Sequence, residues 1–416
     1  MTLSQGKKSR LYGSLSVGGY SVYRVASELG LVYLNADMRI LHIGKFLHPE
    51  RGGIESFIRD LSAEQARRGN DVAVLCYHAH PWRATEWRLS SGVLSVQARI
   101  LCNVGYAPVA PLFPMHLRRL IRESQPEVIH LHLPNPAVLF LSWFPVDIPL
   151  IVHWHADADG LQGRLNRAMY SAYKIFETKS LSRAQAVIAT SPPYAASSRS
   201  LKPWRDKCVV VPLGLDPGRY PEDPQLVRSA IPTVLSVGRF AFYKGYDILI
   251  EAARQVPEAR FIIVGDGPLH GKISDQVRDL GLADRVHLPG ALPDGELRVL
   301  QQQATLVCLP SVDRAEAFGV VQLEAMRYGV PLVSTAIPGS GVDWVNQDGV
   351  TGLVVPPGDA KSLAHAVRWI INHPQAAESM GKAGRLRLNA HFTIEAIASA
   401  LHTVYERSVQ AFKKNP

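Results

Sequence analysis

Two carboxylates bracket a short apolar filling in Glu316-Ala-Phe-Gly-Val-Val-Gln-Leu-Glu324. The run before it, Leu306-Val-Cys-Leu-Pro-Ser311, reads as a buried strand, and the segment itself opens an amphipathic helix over 319–328. That order puts Glu316 on a loop, Phe318 and the N–H groups of Gly319, Val320 and Val321 at a helix start, and Glu324 inside the helix. Free N–H groups at the positive end of a helix suit a diphosphate, and a nearby carboxylate accepts hydrogen bonds from sugar or ribose hydroxyls. A second constellation, Val237-Gly-Arg-Phe-Ala-Phe-Tyr-Lys-Gly-Tyr-Asp247, fixes Arg239 and Lys244 at a strand-to-helix turn. Two cations held there can stabilise the charge that develops on a departing diphosphate. Solvated surface charges are the alternative reading of both segments.

Three further segments carry polar or glycine-rich chemistry. Phe261-Ile-Ile-Val-Gly-Asp-Gly-Pro268 is a buried strand ending in a turn where Gly265 and Gly267 allow positive φ, serving either the turn or a ligand contact. It lacks the third glycine of a dinucleotide fingerprint. In Glu50-Arg-Gly-Gly-Ile-Glu55, Gly52 and Gly53 let a phosphate or sugar approach a helix start. His153-Trp-His155-Ala-Asp157 ends a strand with both histidines on one face. A second pair, His130-Leu-His132, ends another strand, but neither pair brings a Cys or acidic partner at ligand spacing, and no metal site is expected.

These residues need elements to hold them. From Met38 the chain alternates β-branched runs with helical patterns, as parallel sheets covered by helices require. Strands are expected at 39–44, 71–77, 93–100, 128–132, 150–155 and 186–191, with helices at 53–69, 113–124 and 163–183. The scheme restarts beyond a polar linker with strands at 233–238, 261–265, 285–288, 306–310, 331–335 and 352–355, and helices at 245–256, 269–281, 294–304, 319–328 and 359–373. A last helical pattern, 393–410, has no strand after it. The expected organisation is an N-terminal extension over 1–37, a doubly wound domain over 38–214, a linker over 215–232, a second doubly wound domain over 233–392 and a terminal helical segment over 393–416. Such a pair leaves a cleft between the carboxyl ends of its strands.

Size and composition agree with this plan. A chain of 416 residues has room for two domains of about 150–200 residues each. Hydrophobic content of 47% against 19% charged excludes a largely disordered chain. The four cysteines are scattered without a CxxC, which points to buried thiols in a reducing compartment. A net charge of +9 suits nucleotide diphosphates or lipid headgroups and is weak for nucleic acid, so no nucleic-acid partner is expected. Arg118, Arg119 and Arg122 form one basic cluster, and Arg164, Arg167, Lys174, Lys179 and Arg183 another. Both read as solvated helix faces or as a surface for an anionic membrane. No stretch is apolar and long enough to span a bilayer. The segment before Met38 lacks a secretory core, and the first sheet is expected to begin at Arg39 without it.

Taken together, the E-x7-E pattern of Glu316 and Glu324, the G-R-x-x-x-x-K-G pattern of Arg239 and Lys244, the G-x-G-P turn, the Gly-Gly loop and the H-x-H-x-D strand end resemble the family-4 retaining glycosyltransferases, and mannosyltransferase-like enzymes of bacterial surface polysaccharide synthesis among them. The resemblance covers 39–410 and is most specific in the second half. It implies a GT-B fold, two Rossmann-like domains facing across a cleft with the terminal helix crossing back. It also implies a GDP- or UDP-linked sugar as donor, with no cofactor and no metal. On the donor side it implies Gly53, Gly265, Phe318, Gly319, Val320, Val321 and Glu324, with Glu324 on the ribose. Catalysis would fall to Glu316 on the sugar hydroxyls, Arg239 and Lys244 on the diphosphate, and His155 on the sugar or leaving-group side. Gly52 and Asp157 would face the acceptor, a glycan or polyprenyl-linked glycan, in a cytoplasmic enzyme peripheral on the inner face of the membrane. A synthase using a sugar phosphate as acceptor and a non-catalytic sugar-binding relative are the alternatives. Asp157-Ala-Asp159 also spells the D-x-D triplet of metal-dependent transferases, against which the two-domain repeat argues.

Overall fold

Short β-branched runs separated by amphipathic helices produce two parallel sheets in the computed structural model, which describes residues 37–47, 52–105, 107–142, 147–158, 164–227 and 229–414. The expected N-terminal extension, apart from Asp37, lies outside the described residues, as do Glu50, Arg51 and Asp159.

The first sheet uses β1 (Arg39–Ile43), β2 (Asp71–Tyr77), β3 (Glu86–Ser90), β4 (Val93–Ala98), β7 (Val128–Leu133), β8 (Leu150–Trp154), β9 (Ala186–Ala189) and β10 (Cys208–Val210), in the order β10-β9-β8-β7-β1-β2-β4-β3. Its neighbours are parallel except for β3, which runs antiparallel to β4 at the edge. A small hairpin of β5 (Cys102–Val104) and β6 (Ala107–Val109) stands apart. The second sheet is wholly parallel: β11 (Thr233–Val237), β12 (Arg260–Val264), β13 (Val286–Gly290), β14 (Leu306–Leu309), β15 (Leu332–Thr335) and β16 (Gly352–Val355), ordered β13-β12-β11-β14-β15-β16. Strand order reverses between β1 and β7 in one sheet and between β11 and β14 in the other. Loops that leave the carboxyl ends of strands at such switch points are where α/β sheets bind ligands. Residues 45–47 after β1, 239–245 after β11 and 311–320 after β14 lie on such loops.

The helices used below are α1 (Gly53–Arg67), α2 (Phe113–Ser124), α3 (Val138–Leu141), α4 (Arg164–Arg183), α5 (Pro192–Ser197), α6 (Tyr246–Gln255), α7 (His270–Asp279), α8 (Asp294–Gln303), α9 (Val321–Arg327), α10 (Val342–Val345), α11 (Ala360–Asn372), α12 (Pro374–His391) and α13 (Ile394–Lys414). Several elements are missing from the sequence expectation, strand β10 and the short helix α10 among them. α12 is missing from it because Pro374 reads as a stop after α11, whereas proline at the first turn starts a helix without losing a bond. β3 and the β5–β6 hairpin are missing because their exposed, polar-interrupted runs carry little burial signal.

α13 crosses back to the first sheet and packs along α1. Tyr405 is fully buried there, and Arg68, just past the end of α1, donates to the Glu395 carbonyl at 2.6 Å. The two inter-domain crossings run side by side: Leu215 N–H donates to Phe392 O and Ile394 N–H donates to Leu215 O, each at 2.8 Å. One continuous apolar cluster joins Leu213 and Leu215 to Phe392, Ile397 and Leu401, and extends through Phe318 and Met326 into the second domain. Among the described residues no helix is long and apolar enough to cross a membrane.

Candidate active site

The turn after β11 is set by close backbone approach. Gly245 has φ +63°, and a Cβ there would lie 2.2 Å from the Pro310 carbonyl, so the turn is pinned against the loop after β14. That contact brings Lys244 to Glu316. The Lys244 Nζ lies 2.6 Å from Glu316 Oε2, with both side chains nearly enclosed, and Ser311 Oγ donates to the same carboxylate oxygen at 3.0 Å. Burial disfavours the ammonium, but the Glu316 carboxylate, with Tyr246 and Tyr243 beside it, overrides that and holds Lys244 above the ordinary lysine value. Arg239 is exposed at the cleft, whereas Lys244 is buried and ion-paired.

Glu316 sits on a loop braced from behind, its carbonyl accepting from Ser340 Oγ and its N–H donating to Asp313 O at 3.0 Å. Gly319 follows with φ +75°, where a Cβ would lie 2.5 Å from Leu309 Cδ2. The helix begins at Val321, two residues later than expected. Among the described residues no acceptor takes a hydrogen bond from the N–H of Gly319, Val320 or Val321. Phe318 does not present its ring to the site. It is 2% exposed and lies edge-on to Phe392 at 6.0 Å, in the apolar cluster, so only its backbone is left for a donor contact. Glu324 is half-buried on α9 and accepts from the Tyr220 hydroxyl at 3.1 Å and from Gln301 Nε2. Burial, with Asp294 nearby, raises its pKa against the opposing effect of those two bonds and of Lys244.

The first domain meets this edge directly. A Cβ on Gly53 would lie 3.1 Å from Val320 Cγ2, so the glycine that opens α1 faces the start of the α9 segment across the cleft. Gly52 caps α1 in extended backbone, beside the Glu55 carboxylate. Lys45, at the end of β1, escaped the sequence reading. Burial lowers its pKa, Glu55 opposes this, and the charge of Arg239 lowers it further, which puts a third cation at the cleft. Its signal was its place just past a switch-point strand. Gly265 lies farther back: a Cβ there would be 2.0 Å from the Gly238 carbonyl, so close packing of two turns accounts for it.

His155 is buried at the end of β8, and its N–H donates to Leu133 O at 3.0 Å. It does not stand alone. His42, His130, His132, His153 and His155 share the α1 face of the sheet in hydrogen-bonded contact, and Phe57 of α1 lies edge-on to His153 and His155. The sequence reading saw four of the five, missing His42 because a single histidine in an apolar strand carries no pattern. Asp157, expected at the acceptor side, is committed elsewhere. Trp154 Nε1 and Ser198 Oγ donate to its Oδ1 at 2.9 and 2.6 Å, and Arg314 from the second domain lies 3.1 Å from its Oδ2. Arg314 also bonds Ser197 Oγ at 3.0 Å, so Asp157 and Arg314 latch the two domains together.

Two Rossmann-like domains facing across a cleft, with the terminal helix crossing back to the first, make up the GT-B architecture. Two family models match the chain: glycosyl transferases group 1 over residues 223–387, and the glycosyl transferase 4-like domain over 52–214. The chain is 33% identical over 380 residues to the O-antigen chain mannosyltransferase C of Escherichia coli, covering 88% of this chain and 98% of the relative. It is 31% identical over 364 residues to a D-rhamnosyltransferase of Pseudomonas aeruginosa, covering 86% and 92%. In fold it is similar to sucrose-phosphate synthase from Thermosynechococcus elongatus, with a TM-score of 0.76 and 24% identity over 90% of this chain and 100% of that one. The chain belongs to the group 1 glycosyltransferases with a family-4-like first domain.

Proposed function

We propose that this glycosyltransferase moves a hexose, mannose-like or glucose-like, from a nucleotide diphosphate sugar to a glycan or lipid-linked glycan acceptor with retention of configuration, in surface polysaccharide or lipopolysaccharide synthesis. The observation that carries this is the Lys244–Glu316 pair at 2.6 Å beside the unbonded N–H groups of Gly319, Val320 and Val321, opposite Gly53. The N–H groups and Arg239 take the diphosphate, and Lys244 stabilises the charge that grows on it. Glu316, steadied by Lys244 and Ser311, receives the sugar hydroxyls, and Glu324 receives the ribose. The leaving phosphate assists the acceptor hydroxyl on the same face, which gives retention without a carboxylate nucleophile. The relatives' names support a mannosyl-type or deoxyhexosyl-type donor and an O-antigen acceptor. The sequence singles out no extra basic pocket for a sugar-phosphate acceptor, which disfavours the synthase reading.

Incubation with GDP- and UDP-hexoses, with the anomeric configuration of the product read by NMR, tests the reaction; an inverted product refutes it. Activity is expected to persist in excess EDTA, since cations and backbone N–H groups already neutralise the diphosphate. Loss on chelation, restored by manganese, would give Asp157-Ala-Asp159 a metal-binding role.

A lipid-linked acceptor fits one surface of the first domain. On α2, Arg118 and Arg122 are exposed near Met115, which is 55% exposed, and Leu112 just before the helix, and on α4 Lys174 and Lys179 flank Ile175 at 68% exposed. Each basic residue near an anionic surface contributes about 1 kcal/mol. The enzyme, with or without residues 1–37, is expected to co-sediment with anionic vesicles at low salt and to release at high salt. Absence of binding at low salt would leave a soluble acceptor.

A further inference from the structure

The five histidines beneath α1 form two hydrogen-bonded chains that start from one side chain, Gln65. In the first, Gln65 Oε1 lies 2.7 Å from His42 Nε2, His42 Nδ1 lies 3.0 Å from His132 Nε2, and His132 Nδ1 lies 3.0 Å from His155 Nε2. In the second, Gln65 Nε2 donates to the Tyr405 hydroxyl at 3.2 Å, Tyr405 lies 2.6 Å from His130 Nδ1, and His130 Nε2 lies 3.2 Å from His153 Nδ1. Among the described residues His155 Nδ1 and His153 Nε2 have no hydrogen-bond partner.

A neutral imidazole has one N–H and one lone pair, so fixing the first bond of each chain fixes all that follow. Burial keeps the five rings neutral, with His42 lowered to about 4 and His155 to about 3. The amide oxygen of Gln65 accepts, so His42 carries its proton on Nε2. His42 Nδ1 is then a lone pair, His132 must donate from Nε2, and His155 must donate from Nε2 in turn. On the other side Tyr405 receives from Gln65 and donates to His130 Nδ1, so His130 and His153 carry theirs on Nε2 as well. The lengths support this direction over its reverse. The 2.6 Å Tyr405–His130 contact suits a hydroxyl donor, and the 3.2 Å contact suits an amide N–H rather than a hydroxyl reaching Gln65.

We propose that Gln65 and Tyr405 are positioning residues that force the Nε2–H tautomer on His155 and so leave its Nδ1 as a bare lone pair for a substrate hydroxyl. The proposal rests on the transferase reading, in which His155 faces the sugar. A lone pair without a protein partner, at the carboxyl end of a parallel strand, is an acceptor held for a ligand. The same assignment weighs against a metal in the cluster. Two three-histidine groups, His42-His130-His132 and His132-His153-His155, bring ring nitrogens close enough for an ion. In the bonded chains, though, the lone pairs of His42, His130, His132 and His153 at Nδ1 are already taken by neighbouring donors.

Histidine-selective 15N NMR on the ligand-free, full-length protein is the test, with the five rings assigned by single substitutions. Wild type is expected to show all five neutral and protonated on Nε2 between about pH 5.5 and 8. Tyr405→Phe and Gln65→Met remove the polarity of the chains and are expected to give mixed tautomers. Each is also expected to lower kcat about tenfold, the worth of one neutral hydrogen bond, with nucleoside diphosphate affinity unchanged. An Nδ1-protonated or cationic His155 in wild type, a co-purifying transition metal, or variants that lose activity with all five tautomers intact would each overturn the proposal. The tautomers are read without substrate, so an enzyme with the expected spectrum and no transferase activity would instead count against the functional reading alone.

Discussion

Lys244→Ala and Arg239→Ala are each expected to slow sugar transfer by about two to three orders of magnitude, the usual effect of removing a charge partner from a developing anion. The two variants should part company in stability. Arg239 is exposed, and its loss leaves no buried group behind. Lys244 is the cation of a nearly enclosed pair, so Lys244→Ala strands the Glu316 carboxylate with only Ser311, at a cost of about 3 kcal/mol. Thermal unfolding should therefore show a lowered midpoint for Lys244→Ala and a native one for Arg239→Ala. Pairing Lys244→Ala with Glu316→Gln should recover part of the stability and none of the activity. Near-native turnover in either single variant would remove the diphosphate role.

Glu316 and Glu324 should separate catalysis from binding. Glu316→Gln is expected to reduce turnover about a hundredfold with little change in affinity for the free nucleoside diphosphate, because its proposed contacts are to the sugar. Glu324→Gln is expected to weaken that affinity about tenfold, the scale of a lost charge-assisted hydrogen bond. Burial raises the Glu324 pKa, so its carboxylate takes up a proton earlier on acidification than an exposed glutamate would. Nucleotide affinity should fall accordingly as pH drops, and the Glu324→Gln variant should lose that dependence. Calorimetry with the nucleoside diphosphate decides the assignment, and the reverse order of effects between the two variants would refute it.

Period and punctuation in the chain made most of the architecture legible. The β-branched runs gave both sheets, because strands buried on both faces read as continuous apolar segments. Helix α12 was lost to a single ambiguous residue, since Pro374 ends one helix and opens the next with the same missing N–H. The motifs assigned to the donor side were legible because strand–loop–helix order places backbone N–H groups without reference to anything distant. Side-chain partners were not. Glu316 and Lys244 are 72 residues apart in sequence, and nothing local predicts that Gly245 packs on Pro310 and closes that distance. Asp157 looked free for an acceptor because Arg314, which holds it, belongs to the other domain. The resemblance puts Phe318 on the donor side, but the inter-domain cluster claims its ring.

The paired crossings at Leu215 and Phe392–Ile394 have a mechanical consequence. A single tether would let one domain swing and roll about the other. Two tethers bonded edge to edge behave like knuckles on one pin, with the Asp157–Arg314 latch set apart from that axis. Such a joint would keep an opening angle and suppress roll, so that any closure would return Gly53 to the same place against Val320. Alignment of the reacting groups then becomes a property of the axle, inherited by every turnover, rather than something each incoming substrate must impose.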